Sequence, residues 1–268
     1  MANKSINLGS PLEYPKSDTQ TTWKGKRYFE KYRGKPVDFI ETELGIKLFD
    51  QQRTVASSVE KNSKTLICSY HHFGKSLIAG CLAVYVTVVY PDSQVLLTGP
   101  SERTITSGVL QKIRIVTKGK TRDLGLDIRA LEIRCSNGSR IFPACPPKNA
   151  AKDESSIQGV HAYGNGRVLV ICDEAIGSFF TENFALQLEA CATGAGDAML
   201  LMCNPTNPNS YLYKWSRRES VTVHHFDCAD NPNIAPFMYV DPETNDLLLR
   251  PEVADELYDD KGDLIPHS

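Results

Sequence analysis

The segment TLICSYHHFGKS, residues 65–76, constrains the fold more strongly than any other part of this chain. A short apolar run at 65–68 changes abruptly into a loop, and GKS at 74–76 opens a long apolar segment, 77–90. This order predicts a strand, a loop and a helix. Successive backbone N–H groups of such a loop, added to the positive end of the helix dipole, form a concave site for an anion.

The loop follows the P-loop pattern for nucleotide phosphates except at its first position, where Ser69 replaces glycine. In this interpretation Lys75 reaches the β and γ phosphates of ATP, and the Ser76 hydroxyl holds Mg²⁺. The residues predicted to surround the nucleotide are Ser69, Tyr70, His71, His72, Phe73, Gly74, Lys75 and Ser76. The alternative is an ordinary helix start whose lysine and serine are solvated. A second motif argues against that alternative.

The second motif is RVLVICDEA, residues 167–175. Five apolar residues indicate a buried strand, and Asp173 and Glu174 follow at its carboxyl end, where parallel α/β sheets bind ligands. Asp173 is predicted to hold Mg²⁺ through water, and Glu174 to orient and polarise the attacking water as a general base. Such a pair of acids also occurs by chance in surface loops. Its occurrence after a GKS loop favours a nucleoside triphosphatase with Lys75 and Glu174 as catalytic residues.

Two further positions are candidates for contacts with ATP. Gln52 is predicted to bind the adenine ring, because a glutamine amide offers a donor and an acceptor to the N6 and N7 edge. Gln51 is the alternative, and both glutamines could be plain surface residues. Asn204 and Thr206 follow a predicted strand at 197–203, where a sensor of the γ-phosphate would lie, although an Asn-Pro-Thr sequence alone indicates only a turn.

The remaining patterns predict an α/β fold. A second strand at 94–98 is followed by a helix at 102–116, which implies a mostly parallel sheet with right-handed crossovers, flanked by helices. The segment 121–144 alternates in polarity and contains Asn-Gly at 137–138, which predicts a β-hairpin.

Three regions are expected along the chain: a flexible or loosely packed arm at 1–35, a P-loop ATPase domain at 36–240, and an acidic linker at 241–268. The arm contains a basic and aromatic stretch, 23–33. Interleaved cations and aromatic rings predict either a nucleic-acid contact or an amphipathic helix packed on the core.

Composition limits the class of protein. The chain has 268 residues, 41% hydrophobic and 23% charged, which suits one well-buried α/β domain with appendages. The formal net charge of −2 gives no support for a nucleic-acid partner, although local patches could bind one. Eight cysteines are dispersed without CxxC spacing, so free thiols are expected. The apolar run 77–90 is too short and too interrupted to cross a bilayer, and residues 1–22 are polar and lack the apolar core of a signal peptide, so we expect an intracellular protein with no membrane partner.

Taken in order, these segments resemble the ATPase half of the large terminase of tailed bacteriophages, the motor that packages DNA. The resemblance spans about residues 36–235 and is carried by the following segments: the helix with Gln52, the loop 69–76, YPDSQV at 90–95, TGPS at 98–101, QGVH at 158–161, CDEA at 172–175 and CNPT at 203–206.

The resemblance implies a RecA-like, ASCE-type P-loop ATPase that uses ATP and Mg²⁺ to translocate double-stranded DNA into a procapsid. It implies a homo-oligomeric ring on the portal protein, a small terminase subunit as partner, a monomer when free in solution, and action in the host cytoplasm. Large terminases usually carry an additional nuclease domain with clustered acids. We expect no nuclease activity in this chain.

One position departs from the family, which commonly has an arginine where this chain has His71. A neutral imidazole cannot give the γ-phosphate a permanent positive charge, so this residue is not expected to fill that role. A neighbouring subunit is then expected to supply a basic residue, and the candidates are Arg103, Arg140, Arg217 and Arg218. Two alternatives stay open: another nucleic-acid remodelling ATPase such as a helicase, and a nucleotide-binding assembly module without efficient turnover.

Overall fold

A computed structural model describes residues 24–70, 73–146, 157, 160–162, 164, 166–204, 209–227, 238–240 and 247–249. The helices are α1 (Lys24–Tyr32), α2 (Pro36–Phe39), a π-helical turn (Ile40–Leu44), α3 (Asp50–Lys61), α4 (Lys75–Val89), α5 (Glu102–Ser107), α6 (Val109–Val116), α7 (Thr121–Leu124), α8 (Glu182–Cys191) and α9 (Tyr211–Ser216). The strands are β1 (Lys64–Ser69), β2 (Gln94–Thr98), β3 (Leu126–Ile128), β4 (Ile133–Cys135), β5 (Arg140–Pro143), β6 (Val168–Cys172), β7 (Ala198–Cys203), β8 (Thr222–Phe226), β9 (Met238–Val240) and β10 (Leu247–Leu249).

Eight of these strands form one sheet in the order β3-β4-β5-β2-β6-β7-β1-β8. Six consecutive strands of this sheet are parallel to one another: β5, β2, β6, β7, β1 and β8. Strands β4 and β3 extend the sheet beyond β5 in antiparallel pairing. Strands β9 and β10 form a separate antiparallel pair. The predicted α/β class with a mostly parallel sheet is therefore confirmed.

The central strands are apolar on both faces because helices cover the sheet on both sides. Ile171 of β6 and Leu200 of β7 point into a core shared with α1 and α3 to α7. An adjacent residue on each of these strands points the other way: Val170 and Leu201 pack in a second core with α8 and α9. Continuous apolar runs, rather than alternating ones, are what two-sided burial requires.

The strand order places three strand ends side by side. Strand β7 lies between β1, which leads into the loop, and β6, which carries the acids. Because all three strands are parallel, their carboxyl ends reach the same edge of the sheet. Ser69, Asp173 and Asn204 are thereby brought to one edge from distant parts of the sequence.

The predicted helix at 102–116 is two helices, α5 and α6, interrupted at Gly108. A Cβ added to Gly108 would lie 2.6 Å from the Thr104 carbonyl oxygen and 3.0 Å from Oδ2 of Asp173. The helix is thus interrupted at a position where the backbone closely approaches a carboxylate. Helical periodicity in the sequence could not reveal this approach. The predicted hairpin is confirmed, with Asn137 and Gly138 in the turn between β4 and β5.

The basic and aromatic stretch forms α1, and its tyrosines enter the core. Tyr28 and Tyr32 are buried and pack against Phe39. The amphipathic-helix alternative therefore describes this stretch, and packed structure begins before the predicted boundary at residue 36. Within the predicted linker at 241–268, the structure describes only β10, and the other linker residues lie outside the described part of the chain.

Two other expectations concern the chain as a whole. Among the described helices, none is both long and apolar enough to cross a bilayer. The seven described cysteines are all free thiols, as expected, and six of them are buried. Cys228 lies outside the described residues.

Candidate nucleotide site

The loop after β1 turns into α4 through Gly74, whose φ of 83° is in the left-handed region that glycine adopts readily. A Cβ at Gly74 would lie 2.7 Å from Nε2 of Gln52, so the loop and α3 are in close contact here. Gln52 is 4% exposed, and its Nε2 donates to the Phe73 carbonyl oxygen at 3.2 Å. Gln52 therefore braces the loop. Its predicted contact with adenine, and the Gln51 alternative, stay predictions.

Phe73 anchors the same loop in the core. It is 1% exposed and stacks on Phe226, with ring centroids 4.6 Å apart, while Phe49 meets its edge. A ring enclosed in this way holds the loop in place through packing. Tyr70 packs edge-on against Phe73, and the predicted site residues His71 and His72 lie outside the described residues.

Lys75 connects two strand ends. Its Nζ donates to the Ser69 carbonyl oxygen and Oγ, both at 3.2 Å, to the Tyr70 carbonyl oxygen at 2.8 Å, and to Oδ1 of Asn204 at 2.7 Å. Partial burial lowers the pKa of Lys75, and the negative charge of Asp173 opposes that shift. Asn204, a predicted sensor of the γ-phosphate, therefore lies in contact with the loop lysine, and its sensor role stays a prediction; Thr206 lies outside the described residues.

Ser76 and Asp173 meet directly. The Ser76 hydroxyl donates to Oδ2 of Asp173 at 3.3 Å, and the Glu174 N–H donates to the other carboxylate oxygen at 3.1 Å. Burial, followed by the charge of Glu174, raises the pKa of Asp173. A hydroxyl and a carboxylate side by side are the hard oxygen ligands that suit Mg²⁺, which takes few protein ligands and completes its shell with water and phosphate. The residues present therefore fit the predicted ion.

Glu174 is exposed and adopts a φ of 52°, in the left-handed region that is costly for residues other than glycine. Its two neighbours are fixed: the Asp173 N–H donates to Thr98 on β2 at 2.9 Å, and the Ala175 N–H donates to Met202 on β7 at 2.8 Å. These two bonds hold the strained residue between them. Strain of this kind concentrates at functional sites, which supports a chemical role for Glu174.

A cleft of about 610 Å³ lies in front of these groups. One wall is formed by the loop and the strand ends, and the other by α5 and α6. The lining residues are Gly74, Lys75, Ser76, Leu77, Arg103, Thr104, Ser107, Gly108, Lys112, Asp173, Glu174 and Asn204. The volume is in the range of small-molecule sites. In the described part of the chain, no group of three or more His, Cys, Asp or Glu residues could hold a metal ion.

The α5–α6 wall was missed in the sequence. Its members Thr104, Gly108 and Lys112 recur every four residues and none has an apolar side chain beyond a methyl group or an alkyl stem, a spacing that indicates one helix face without a large apolar residue. Helical spacing shows which residues share a face but cannot show what the face contacts.

The four candidate arginines occupy different places. Arg103 lines the cleft of its own chain. Arg140 lies at the amino end of β5, away from the site, and donates to Gln94. Arg217 donates to Tyr213, and Arg218 is held by Glu189 and Tyr211.

No protein-family model matches the chain. Over 182 residues the chain is 22% identical to the probable terminase large subunit of Enterobacteria phage P7, which covers 65% of this chain and 35% of that protein. The chain thus spans about a third of the length of this curated relative.

Two solved structures are similar in fold. The Thermus phage P74-26 large terminase ATPase domain, solved as a mutant, superposes with a TM-score of 0.53 and 17% identity, covering 73% of this chain and 87% of that one. The large terminase of a thermophilic bacteriophage, solved in complex with ADP, superposes with a TM-score of 0.52 and 17% identity, covering 69% and 47%. The chain therefore has the RecA-like fold of the ATPase domain of bacteriophage large terminases, and the resemblance expected from its sequence is confirmed.

Proposed function

We propose that this chain is the ATP-hydrolysing motor domain of a bacteriophage large terminase, which drives double-stranded DNA into a procapsid. The observation that carries the proposal is the 3.3 Å contact between the Ser76 hydroxyl and the Asp173 carboxylate. It joins the helix start after a phosphate-binding loop to the end of an acidic strand, in one cleft with Lys75 and Glu174. The same fold occurs in a large terminase solved with ADP.

Each side chain has a distinct role in this proposal. The Lys75 ammonium binds the β and γ phosphates, and Ser76 and Asp173 hold Mg²⁺. The bound ion neutralises negative charge on the phosphate oxygens. Glu174, exposed at the cleft, orients a water molecule toward the γ-phosphate and accepts its proton.

Asn204 couples the site to the rest of the domain. The Lys75 ammonium has only three protons to donate, and four acceptor atoms of the chain already lie within 3.2 Å of it. A phosphate that binds this ammonium must displace some of those acceptors. Asn204 belongs to a different strand end from the others, so its release reports the state of the nucleotide to β7 and the segment beyond it.

The finer proposals concern assembly. Free in solution the chain is a monomer and a slow ATPase, and it becomes fast in a homo-oligomeric ring on the portal, with the small terminase subunit as partner in the host cytoplasm. A basic residue from a neighbouring subunit then stabilises the transferring phosphoryl group. Of the two arginines that follow α9, Arg217 is the stronger candidate, because Arg218 is already paired with Glu189.

The test is ATP binding and steady-state hydrolysis by the full chain, with and without double-stranded DNA. Lys75→Ala removes the cation of the loop and should abolish both binding and turnover. Lys118→Ala, an exposed lysine outside the cleft, is the matched control and should behave as the parent. Binding without turnover under every condition, procapsids included, would instead indicate an assembly module. Absence of binding would refute the proposal.

A further inference from the structure

We propose that Lys112 is a second cation of the nucleotide site and contacts the γ-phosphate of ATP bound to its own chain. This inference rests on the proposed ATPase function and adds a residue to it. Lys112 lies on α6 and lines the cleft opposite the loop that carries Lys75.

The position of Lys112 is fixed by backbone packing. A Cβ added to Gly80 of α4 would lie 3.2 Å from both the Lys112 Cβ and the Ile113 nitrogen. A side chain at this position would push α6 away by a few tenths of an ångström, so Gly80 allows the base of the Lys112 side chain to lie close against α4. Gly80 lies one helical turn after Ser76 and on the same face of α4. The base of the lysine side chain therefore packs beside α4 one helical turn after Ser76, the predicted magnesium ligand.

The direction of the side chain follows from the course of α6. Side chains on an α-helix tilt toward the amino end of their own helix, and Lys112 lies one turn after Gly108 on the same face. Gly108 is the residue whose added Cβ would lie 3.0 Å from Oδ2 of Asp173. The Cα–Cβ bond of Lys112 therefore tilts along the cleft wall toward Gly108 and the Asp173 carboxylate that lies against it.

Charge supplies the reason for a second cation. Two carboxylates, Asp173 and Glu174, line the cleft, and a bound triphosphate would add further negative charge to it. A magnesium ion would neutralise only part of this total negative charge. Lys112 is half-buried, and among the described residues its ammonium takes part in no hydrogen bond or ion pair. Arg103, the other cation of this wall, is exposed on the short helix α5. Lys112 is therefore the better placed of the two to reach a phosphate inside the cleft.

The γ-phosphate is what distinguishes ATP from ADP, which makes the inference specific. A hydrogen bond between charged groups contributes about 1.5–3 kcal/mol. Lys112→Met keeps most of the aliphatic stem and removes the charge, so it should weaken binding of ATPγS about 10- to 100-fold and leave ADP binding unchanged. Lys112→Arg, which restores a cation, should recover part of the loss.

The experiment measures the dissociation constants of ATPγS and ADP by calorimetry on the full chain in Mg²⁺, together with single-turnover hydrolysis. Lys118→Met, an exposed lysine just past the end of α6, is the matched control. Arg103→Met tests the neighbouring cation in the same way. If circular dichroism shows that Lys112→Met does not fold, Lys112→Gln replaces it in the comparison.

Loss of ATPγS affinity alone, with partial recovery in the arginine variant, supports the inference. Unchanged affinity, equal loss for both nucleotides, or a selective loss in Arg103→Met instead of the Lys112 variants would overturn it. If the parent chain and the Lys112 variants bind both nucleotides with the same affinities, this inference is refuted and the ATPase function is not. A parent chain that binds neither would refute the ATPase function, and this inference with it.

Discussion

Substitution of Gly108 by alanine tests the close contact between the α5–α6 wall and the magnesium side of the cleft. The new Cβ would lie 2.6 Å from the Thr104 carbonyl oxygen and 3.0 Å from Oδ2 of Asp173. The first of these atoms is backbone and cannot rotate away, so one of the two helices must move by several tenths of an ångström. Overpacking of this kind costs about 1–3 kcal/mol, and the lower chain entropy of alanine offsets about 0.4–1 kcal/mol.

The net expectation for Gly108→Ala is a loss of about 1–2 kcal/mol in the free energy of unfolding, or about 2–8 °C in Tm for a domain of this size. A second effect is specific to the site. Displacement of the Asp173 carboxylate should weaken its 3.3 Å contact with Ser76 and lower the affinity for ATP about tenfold in the presence of Mg²⁺. Affinity measured in EDTA should change much less.

The assay combines urea denaturation with ATP titrations at several Mg²⁺ concentrations. Gln111→Ala, at an exposed position on the same helix, is the control and should lie within about 0.5 kcal/mol of the parent. If Gly108→Ala unfolds at the same urea concentration as the parent and shows the same Mg²⁺ dependence, the close approach of this wall to Asp173 is refuted.

Two further predictions concern the core. Arg167→Met should lower the free energy of unfolding by about 1–3 kcal/mol in urea, because it removes the buried guanidinium that donates to the half-buried Glu60 carboxylate at 2.8 Å and leaves that carboxylate with the Tyr90 hydroxyl. Arg134→Met, which removes an exposed arginine from its ion pair, should change it by under about 1 kcal/mol, and similar losses in both would contradict the assignment. Cys81 is fully buried and its pKa is raised to about 12, so among the described cysteines iodoacetamide at pH 8 should label the half-buried Cys145 first and Cys81 only after denaturation. Peptide mass spectrometry measures the order, and early labelling of Cys81 would show that α4 is not packed as described.

The sequence was most informative where chemistry depends on neighbours along the chain. The loop that ends in Lys75 and Ser76, and the strand that ends in Asp173 and Glu174, are local patterns of strand, loop and helix, and the structure has the same elements. The meeting of Asn204 with Lys75 was also foreseeable, because parallel strands place their carboxyl ends at one edge of the sheet.

Features that depend on packing between distant segments were not predictable in the same way. The interruption at Gly108 lies against a carboxylate from another strand, and Lys112 lines the cleft on a helix that packs closely against Gly80. The adenine contact of Gln52 stays a prediction from its chemistry, whereas the bond from its amide to the Phe73 carbonyl oxygen depends on packing that no local pattern shows. No local pattern contains the identity of the atoms on the facing element.

The most direct test of the ATPase account is a comparison of the parent chain with Glu174→Gln, with ATP binding and hydrolysis measured on the same preparations. Glutamine keeps the shape of the side chain and removes the basic oxygen, so ATP should bind with parental affinity while turnover falls about 10²- to 10⁴-fold. Unchanged turnover in Glu174→Gln would contradict the account and move the general base to another residue, with Asp173 as the first candidate.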